Sequence, residues 1–182
     1  MKRQRKQYSR PFRPWDKARI EREKILMKEY GLRRKKEIWK AEAILRKYRR
    51  LARDLAANRN EEMEKTLMQK LNKLGLINLN ASLDDILALT VESILNRRLQ
   101  TLVKKKGLAN TIKQARQFIV HGHIALNGQR IRWPSALIPV DMEDKITYYE
   151  KSPIPNVLDQ SKKKNVKQVS ENTSLQQQPE KQ

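Results

Sequence analysis

The sequence predicts an α+β protein in which a helical domain precedes a helical hairpin packed on a small, twisted antiparallel sheet. Aliphatic residues recur at intervals of three and four along much of the chain, which is typical of amphipathic helices. Five Gly and 5% aromatic residues leave little material for an all-β fold. The dipeptide Asn127-Gly128 separates two short apolar stretches and is a strong signal for a β-hairpin.

The composition points to a polyanionic partner. The 182 residues include 41 Lys and Arg against 20 Asp and Glu, a formal net charge of +21. This exceeds the magnitude of about 2–8 that keeps a small domain in solution, so we expect nucleic acid. A membrane partner is disfavoured, because no apolar run approaches the ~18 residues of a membrane-spanning helix and no signal peptide follows the basic start.

Cysteine is absent, which excludes disulfides, thiol chemistry and thiolate-bound zinc. Positive charge is concentrated in two regions. Residues 1–50 carry 20 basic and 6 acidic side chains, and residues 93–140 carry 9 basic and no acidic ones. Residues 51–92, with 5 basic and 7 acidic, do not form the main anion-binding surface.

Residues 1–14 form a basic arm with two prolines and no apolar period. A frayed terminus is one interpretation. We favour an arm that orders on phosphates, because aromatic residues that could stack on bases or pack on the first helix are interleaved with its cations. The phosphate-binding candidates are Arg3, Arg5, Arg10 and Arg13.

Residues 15–90 are predicted to form a helical domain. A first helix runs from Trp15 to a stop at Gly31, and a second from about Arg33 to Ala57 with one buried stripe from Ile38 to Leu55. The second helix has too few acidic residues to pair its cations, so we expect one side to face RNA. Those cations are Arg46, Lys47, Arg49, Arg50 and Arg53.

Two shorter helices complete this domain. Asn60 can cap a helix over about Glu61 to Leu74, and Gly75 ends it. Ser82 and Asp85 resemble a capping box for a helix from Leu83 to Leu89.

Residues 91–151 are predicted to form the second domain. Thr90 can cap a helix from Val91 to about Lys106, whose stripe from Leu95 to Val103 is buried. The residues expected to lie off that stripe, on solvent or ligand faces, are Arg97, Arg98, Thr101, Lys104 and Lys105. Thr111 or Asn110 caps a further helix to about His121, and the short connection makes the two helices a hairpin.

The Asn127-Gly128 turn pairs Leu126 with Gln129 and Ala125 with Arg130. One face of the ribbon is then apolar and covers the helical pair. The opposite face holds His123, Ala125, Arg130 and Arg132. Further strands are expected at 137–140 and 145–149, and Trp133 is expected to cover an edge of the core. The tail over 152–182 is polar and predicted to be flexible.

Dense local motifs between Arg97 and Ile131 resemble the S4-type RNA-binding domain. They are "RRLQ" from Arg97, "KKGLA" from Lys105, "QARQ" from Gln114, "HGHI" from His121 and Asn127-Gly128. Looser similarity over roughly residues 8–150 resembles the archaeal and eukaryotic form of the uS4 family of ribosomal proteins. Some bacterial relatives bind zinc through N-terminal cysteines, which this chain lacks, so no metal and no cofactor are expected.

The resemblance implies a structural constituent of the small ribosomal subunit in the cytoplasm. Such proteins bind small-subunit rRNA early, at a multi-helix junction near the side where mRNA enters, beside neighbouring ribosomal proteins and within reach of mRNA. No membrane and no small-molecule substrate are implied. The RNA-binding residues expected in this domain are Arg97, Arg98, Lys104, Lys105, Lys106, Asn110, Thr111, Lys113, Gln114, Arg116, Gln117, His121, His123, Arg130 and Arg132.

Other function classes fit less well. An RNA-modifying enzyme or an RNA chaperone could use the same module. The enzyme would need a catalytic domain, and the sequence has no nucleophile–base constellation, Gly-rich phosphate loop or paired apolar carboxylates. A DNA-binding helix-turn-helix regulator is disfavoured, because strands follow the helical pair. His121 and His123 lack a third metal ligand nearby in sequence, so RNA contact or packing is the preferred role.

Overall fold

The computed structural model describes residues 5–58, 60–78 and 81–154, and it confirms the α+β class. Helices make up most of the secondary structure in these residues, and a three-stranded sheet lies near their C-terminal end. The helices are α1 (Lys17–Glu29), α2 (Lys36–Ala57), α3 (Glu61–Lys73), α4 (Leu83–Ala88), α5 (Val91–Asn96), α6 (Leu99–Lys105) and α7 (Ile112–His121). The strands are β1 (Ile124–Leu126), β2 (Gln129–Arg130) and β3 (Ile146–Tyr148).

Polar caps fix the starts of α3, α4 and α7 where the sequence predicts them, whereas Thr90 makes no side-chain cap hydrogen bond at the start of α5. Asn60 accepts a hydrogen bond from the backbone N–H of Met63, and Thr111 accepts one from that of Gln114. Ser82 and Asp85 form the predicted capping box of α4. These caps satisfy backbone donors that the first turn of a helix leaves unpaired.

A first core joins α2 to α3, α4 and α5. The buried stripe of α2 packs against Leu71 of α3, Ile86 of α4 and Leu95 of α5, each fully buried. Because apolar burial contributes roughly 25 cal/mol per Å², burial of this stripe stabilises the N-terminal half. The α2 residues that lie in the core are Ile38, Ala41, Leu45, Tyr48 and Ala52.

The single helix predicted from Val91 to Lys106 is wrong, because the chain breaks into α5 and α6. Arg98 adopts an extended conformation and forms a β-bridge with Leu137. The carbonyl of Arg97 accepts from the N–H of Ile138, and the N–H of Leu99 donates to Ala136. The backbone at the break therefore pairs with residues 136–138, which satisfies groups that a continuous helix would have paired internally.

A second core lies between the helical hairpin and the sheet. Leu99, Leu102 and Val103 of α6 and Ala115 and Ile119 of α7 are buried against the sheet. The packing of α6 against α7, which follows it after a short connection, confirms the predicted hairpin. The sheet residues in this core are Ile124 and Ile146.

The sheet order is β2-β1-β3, and all neighbours are antiparallel. Ala125 pairs with Arg130 and Leu126 with Gln129, as the Asn127-Gly128 turn predicts. Both turn residues have positive φ, 51° and 79°. The predicted strand at 145–149 is confirmed as β3.

Two local predictions are wrong. Residues 137–140 form only the bridge of Leu137 to Arg98, since Pro139 has no N–H to donate to a ladder. Ala125 shares a face with Arg130 as predicted, but its small side chain is buried, because β1 is the central strand and Ala125 is flanked by Arg130 of β2 and Thr147 of β3. Trp133 does not cover the core, since 71% of it is exposed.

Among the described residues, no helix combines the length and apolarity needed to cross a membrane. The predicted tail from 152 to 182 lies outside the described residues after Ile154.

Candidate nucleic-acid interface

The start of α7 combines a helix cap and a cation. Thr111 caps the helix through its hydroxyl, and the Gln114 side chain accepts from the N–H of Asn110 at 2.8 Å. Lys113 is exposed on the first turn. The positive end of the helix dipole and an adjacent ammonium group favour an anion here.

Basic side chains also gather at the end of α7. Gly122 has φ 78°, and Arg130 and Arg132 lie close to it from the hairpin. The Arg130 guanidinium lies 4.3 Å from the ring centroid of Tyr149, a cation–π contact that holds it in place. The rings of His121 and His123 stack at 6.3 Å.

Several predicted residues are exposed without a carboxylate partner. Within residues 81–154, no acidic group lies within 4 Å of Lys104, Lys105, Lys113 or Arg132. Gln117 is exposed on α7 as well. These groups keep their donors free for phosphate.

Two of the residues predicted to bind RNA are partners in an internal ion pair. Arg98 is 5% exposed and donates to Glu37 at 2.6 Å. Arg116 donates to the other oxygen of the same carboxylate at 3.0 Å. The expectation that Arg98 lies on a solvent or ligand face is wrong, because the break before α6 turns its side chain toward α2. Thr101, expected off the buried stripe too, is buried and donates to the carbonyl of Leu95 at 2.8 Å.

The buried ion pair shifts the pKa values of its members. Burial alone raises the pKa of Glu37, but hydrogen bonds from Arg116 and Arg98 outweigh it, so the pKa lies below its ordinary value. Burial lowers the pKa of Arg98, and Glu37 opposes that change. Both groups remain charged at neutral pH.

Arg97 and Lys106 are paired to the acidic turn before β3. Arg97 donates to Glu143 at 2.9 Å and to the carbonyl of Ile138 at 3.0 Å. Lys106 lies 3.5 Å from Asp144, whose side chain is fully exposed. The Lys106 pair is therefore weak.

The α2 cations also divide into exposed side chains and one that is bound internally. Arg46 and Lys47 are exposed, and Arg46 donates to the Ser9 hydroxyl at 2.8 Å. Arg50 and Arg53 are exposed too, with Arg50 3.7 Å from Asp54. Arg49 is half-buried and donates to the carbonyl of Leu89, so it joins α2 to α4.

In the arm, Arg5, Arg10 and Arg13 are exposed, and Arg3 lies outside the described residues.

Three internal polar residues were missed by sequence reasoning. Glu37 holds Arg98 and Arg116, and Glu23, 2% exposed, accepts from Arg19 at 2.8 Å. Gln100 is 1% exposed and donates to the carbonyls of Tyr30, Gly31 and Ile112. The one available signal was the absence of acids in 93–140, which means that any buried arginine there must pair with a carboxylate from another part of the chain.

Among the residues described, no group of three or more His, Asp or Glu is placed to hold a metal ion.

Comparison with known proteins finds similar sequences over most of the chain. The family model described as "S4 domain" matches residues 97–144. The chain is 52% identical over 162 residues to "Small ribosomal subunit protein uS4" of Nanoarchaeum equitans, covering 86% of this chain and 89% of that protein. The proteins of the same name are 54% identical over 153 residues in Methanococcus aeolicus (82% and 86% covered) and 47% identical over 160 residues in Thermoplasma acidophilum (84% and 80% covered).

Proposed function

The chain belongs to the uS4 family of small ribosomal subunit proteins, and we propose that it nucleates assembly of the subunit body by binding a multi-helix junction of small-subunit rRNA. Its role is structural and not enzymatic. It works in the cytoplasmic ribosome beside neighbouring ribosomal proteins, near the side where mRNA enters. It needs no cofactor.

One observation carries the proposal: the basic region over 93–140 keeps exposed cations that no carboxylate in the described part of the chain neutralises. Residues 93–140 contain nine basic and no acidic side chains. Its buried arginine, Arg98, is paired internally, whereas Lys104, Lys105 and Lys113 are exposed. Unpaired surface cations at fixed positions are suited to phosphates at fixed positions, and phosphate contacts release counterions.

Rigidity explains why a folded RNA junction is the preferred ligand. The hairpin and the sheet share a core, and the Arg98–Glu37 pair ties that core to α2. Cations on α2 and on α6–α7 therefore have a defined separation. Such a surface reads the shape of the RNA backbone and not a base sequence.

We propose a division of labour along the chain. The arm over 1–14 and the helical domain over 15–90 provide one basic surface, and the S4-type domain over 91–151 provides the other. The tail over 152–182 adds polar chain. The packing of α5 in the first core supports a tight connection between the two domains.

The experiment measures binding of the full chain to a small-subunit rRNA junction fragment at several salt concentrations. Lys104 and Lys105 occupy the last turn of α6, and Lys70 and Lys73 occupy the last turn of α3 in the acidic middle of the chain. The double variant Lys104→Ala/Lys105→Ala should lower the salt slope by roughly 1.4–1.8, the value for two lost phosphate contacts. The matched variant Lys70→Ala/Lys73→Ala should leave it unchanged.

Equal slopes for all three proteins would refute the interface. Chemical probing of naked small-subunit rRNA with the chain alone tests nucleation separately. Protection should appear at a multi-helix junction before any other ribosomal protein is added, and protection that requires other proteins would refute the early-binding role.

A further inference from the structure

The N-terminal arm folds back against the first two helices. The Arg19 guanidinium, on α1, donates to the backbone carbonyls of Arg13 at 2.8 Å and Pro14 at 2.9 Å. Asp16 then caps α1 by accepting from the N–H of Arg19. These bonds fix the path of the chain just before the helix begins.

A second pair of contacts holds the arm to α2. Arg46 donates to the Ser9 hydroxyl at 2.8 Å. The ring of Tyr8 lies 5.9 Å from that of Trp39, with an interplanar angle of 37°. Because the arm is attached at both ends, residues between Ser9 and Arg13 bridge over an open space.

That space is a groove of about 580 Å³ between the arm and the starts of α1 and α2. Trp15 lines the groove while 89% of it is exposed, and the neighbouring Phe12 is 98% exposed. Large exposed aromatic residues close together are typical of binding surfaces. The aromatic and proline lining consists of Tyr8, Pro11, Pro14, Trp15 and Trp39.

The charge in the groove is positive because its lining includes no acidic residue, and the carboxylate of Glu23, which contacts three of the lining residues, is already paired. Buried Glu23 accepts from Arg19 and from the indole N–H of Trp39 at 2.9 Å, and it lies 3.1 Å from Lys35. This fixes the orientation of the Trp39 ring. The remaining cations in the lining, with no carboxylate within 4 Å among the described residues, are Arg10, Arg34 and Lys36.

We propose that this groove binds one unpaired nucleotide of RNA, with its base stacked on Trp15 and its phosphate held by Arg10, Arg34 and Lys36. The inference rests on the proposed function, because it takes RNA as the ligand. A duplex keeps its bases stacked inside, so the site selects an unpaired residue. The cationic lining fits a nucleotide better than a neutral proline-rich or aromatic peptide.

The test uses the full chain, a short single-stranded oligoribonucleotide of mixed sequence and an RNA duplex of the same length. Trp15→Ala should weaken single-strand binding by about 5- to 150-fold, the range for one base–aromatic stack. Trp15→Phe should restore most of the affinity. The matched control is Trp133→Ala, which removes an exposed tryptophan outside the groove. It should leave the affinity for both the single strand and the duplex unchanged.

Salt dependence separates stacking from charge. Trp15→Ala should leave the salt slope of single-strand binding unchanged, and Arg34→Ala/Lys36→Ala should reduce it by roughly 1.4. The intrinsic tryptophan fluorescence of the wild type should be quenched by the single strand, and the quenching should fall in Trp15→Ala.

Single-strand affinity of Trp15→Ala equal to that of the wild type would overturn the inference. An acidic proline-rich peptide tests the alternative ligand. If Trp15→Ala lost binding to this peptide while its affinity for RNA stayed unchanged, the groove would belong to a protein partner. Failure of the proposed function would be a different result. It is measured with the Lys104→Ala/Lys105→Ala variant and the rRNA junction fragment, and these two lysines lie in the other half of the chain.

Discussion

Arg98, at the start of α6, donates a hydrogen bond of 2.6 Å to the carboxylate of Glu37, on α2. The two residues are 61 positions apart in sequence. Both are largely buried, with side-chain exposed fractions of 6% and 13%. Glu37 also accepts from the backbone N–H of Arg33 and from both terminal nitrogens of Arg116, so its oxygens are saturated. One carboxylate thus ties the S4-type domain to the helical domain.

Replacing Glu37 should destabilise the whole chain. Glu37→Gln leaves Arg98 buried without a counter-charge, and breaking a buried pair in this way costs about 3–5 kcal/mol. We expect a lower urea midpoint by circular dichroism. Glu21→Gln on α1 is the control, since Glu21 is exposed. Equal midpoints for the two variants would show that the pair contributes little.

Glu37 and Glu42 should contribute to the pH dependence of stability with opposite signs. The pKa of Glu37 is lowered in the folded state, so its contribution is present above the ordinary value of 4.5 and is lost as pH falls through the folded pKa. Burial raises the pKa of Glu42, so its charged form costs stability at neutral pH and this cost disappears on acidification.

Urea titrations between pH 7 and pH 3 test this difference. Glu37→Gln should be less stable than the wild type at pH 7, with a gap that narrows below pH 4.5. Glu42→Gln should be more stable at pH 7, and its gain should vanish in acid. Parallel curves for both variants would contradict the assigned environments.

The local features of the fold could be predicted from sequence because each depends on neighbours in the chain. The caps at Asn60 and Thr111 and the Asn127-Gly128 turn are of this kind, and all are present. The break at Arg97 and Arg98 could not be predicted, because residues 136–138 supply its hydrogen bonds. Periodicity places Leu95 and Leu99 on one stripe, yet the structure buries them in different cores.

In the candidate site, too, some features could be predicted from sequence and others depend on distant residues. Sequence reasoning found the basic regions, since charge is counted directly from residue types. It did not distinguish Arg98 and Arg116 from the exposed lysines, because their partner Glu37 lies in another domain. An arginine in a basic region is therefore assigned to RNA or to the protein only when its surroundings are known.

Gly31 should be far less replaceable than Gly107, although both have positive φ, 56° and 73°. A Cβ at Gly31 would lie 2.9 Å from Ile112 and 3.0 Å from the Gln100 amide nitrogen, whereas one at Gly107 meets nothing within 4 Å. Gly107→Ala should cost about 1–2 kcal/mol from backbone strain alone. Gly31→Ala should cost about 1–3 kcal/mol more, because it overpacks the domain junction. Urea midpoints measure both, and equal losses would show that the junction relaxes freely.

Lys113 and Arg116 lie one turn apart on α7 and should give different phenotypes. Lys113 is exposed without a carboxylate partner among the described residues, so Lys113→Ala should reduce the salt slope of rRNA binding by about 0.7–0.9 and leave the urea midpoint unchanged. Arg116 donates to Glu37 and to the side-chain amide oxygen of Gln100, so Arg116→Ala should lower the urea midpoint. Its salt slope should stay near that of the wild type, since the protein already neutralises this charge. A reduced slope with an unchanged midpoint for Arg116→Ala would mean that its guanidinium leaves Glu37 to bind phosphate.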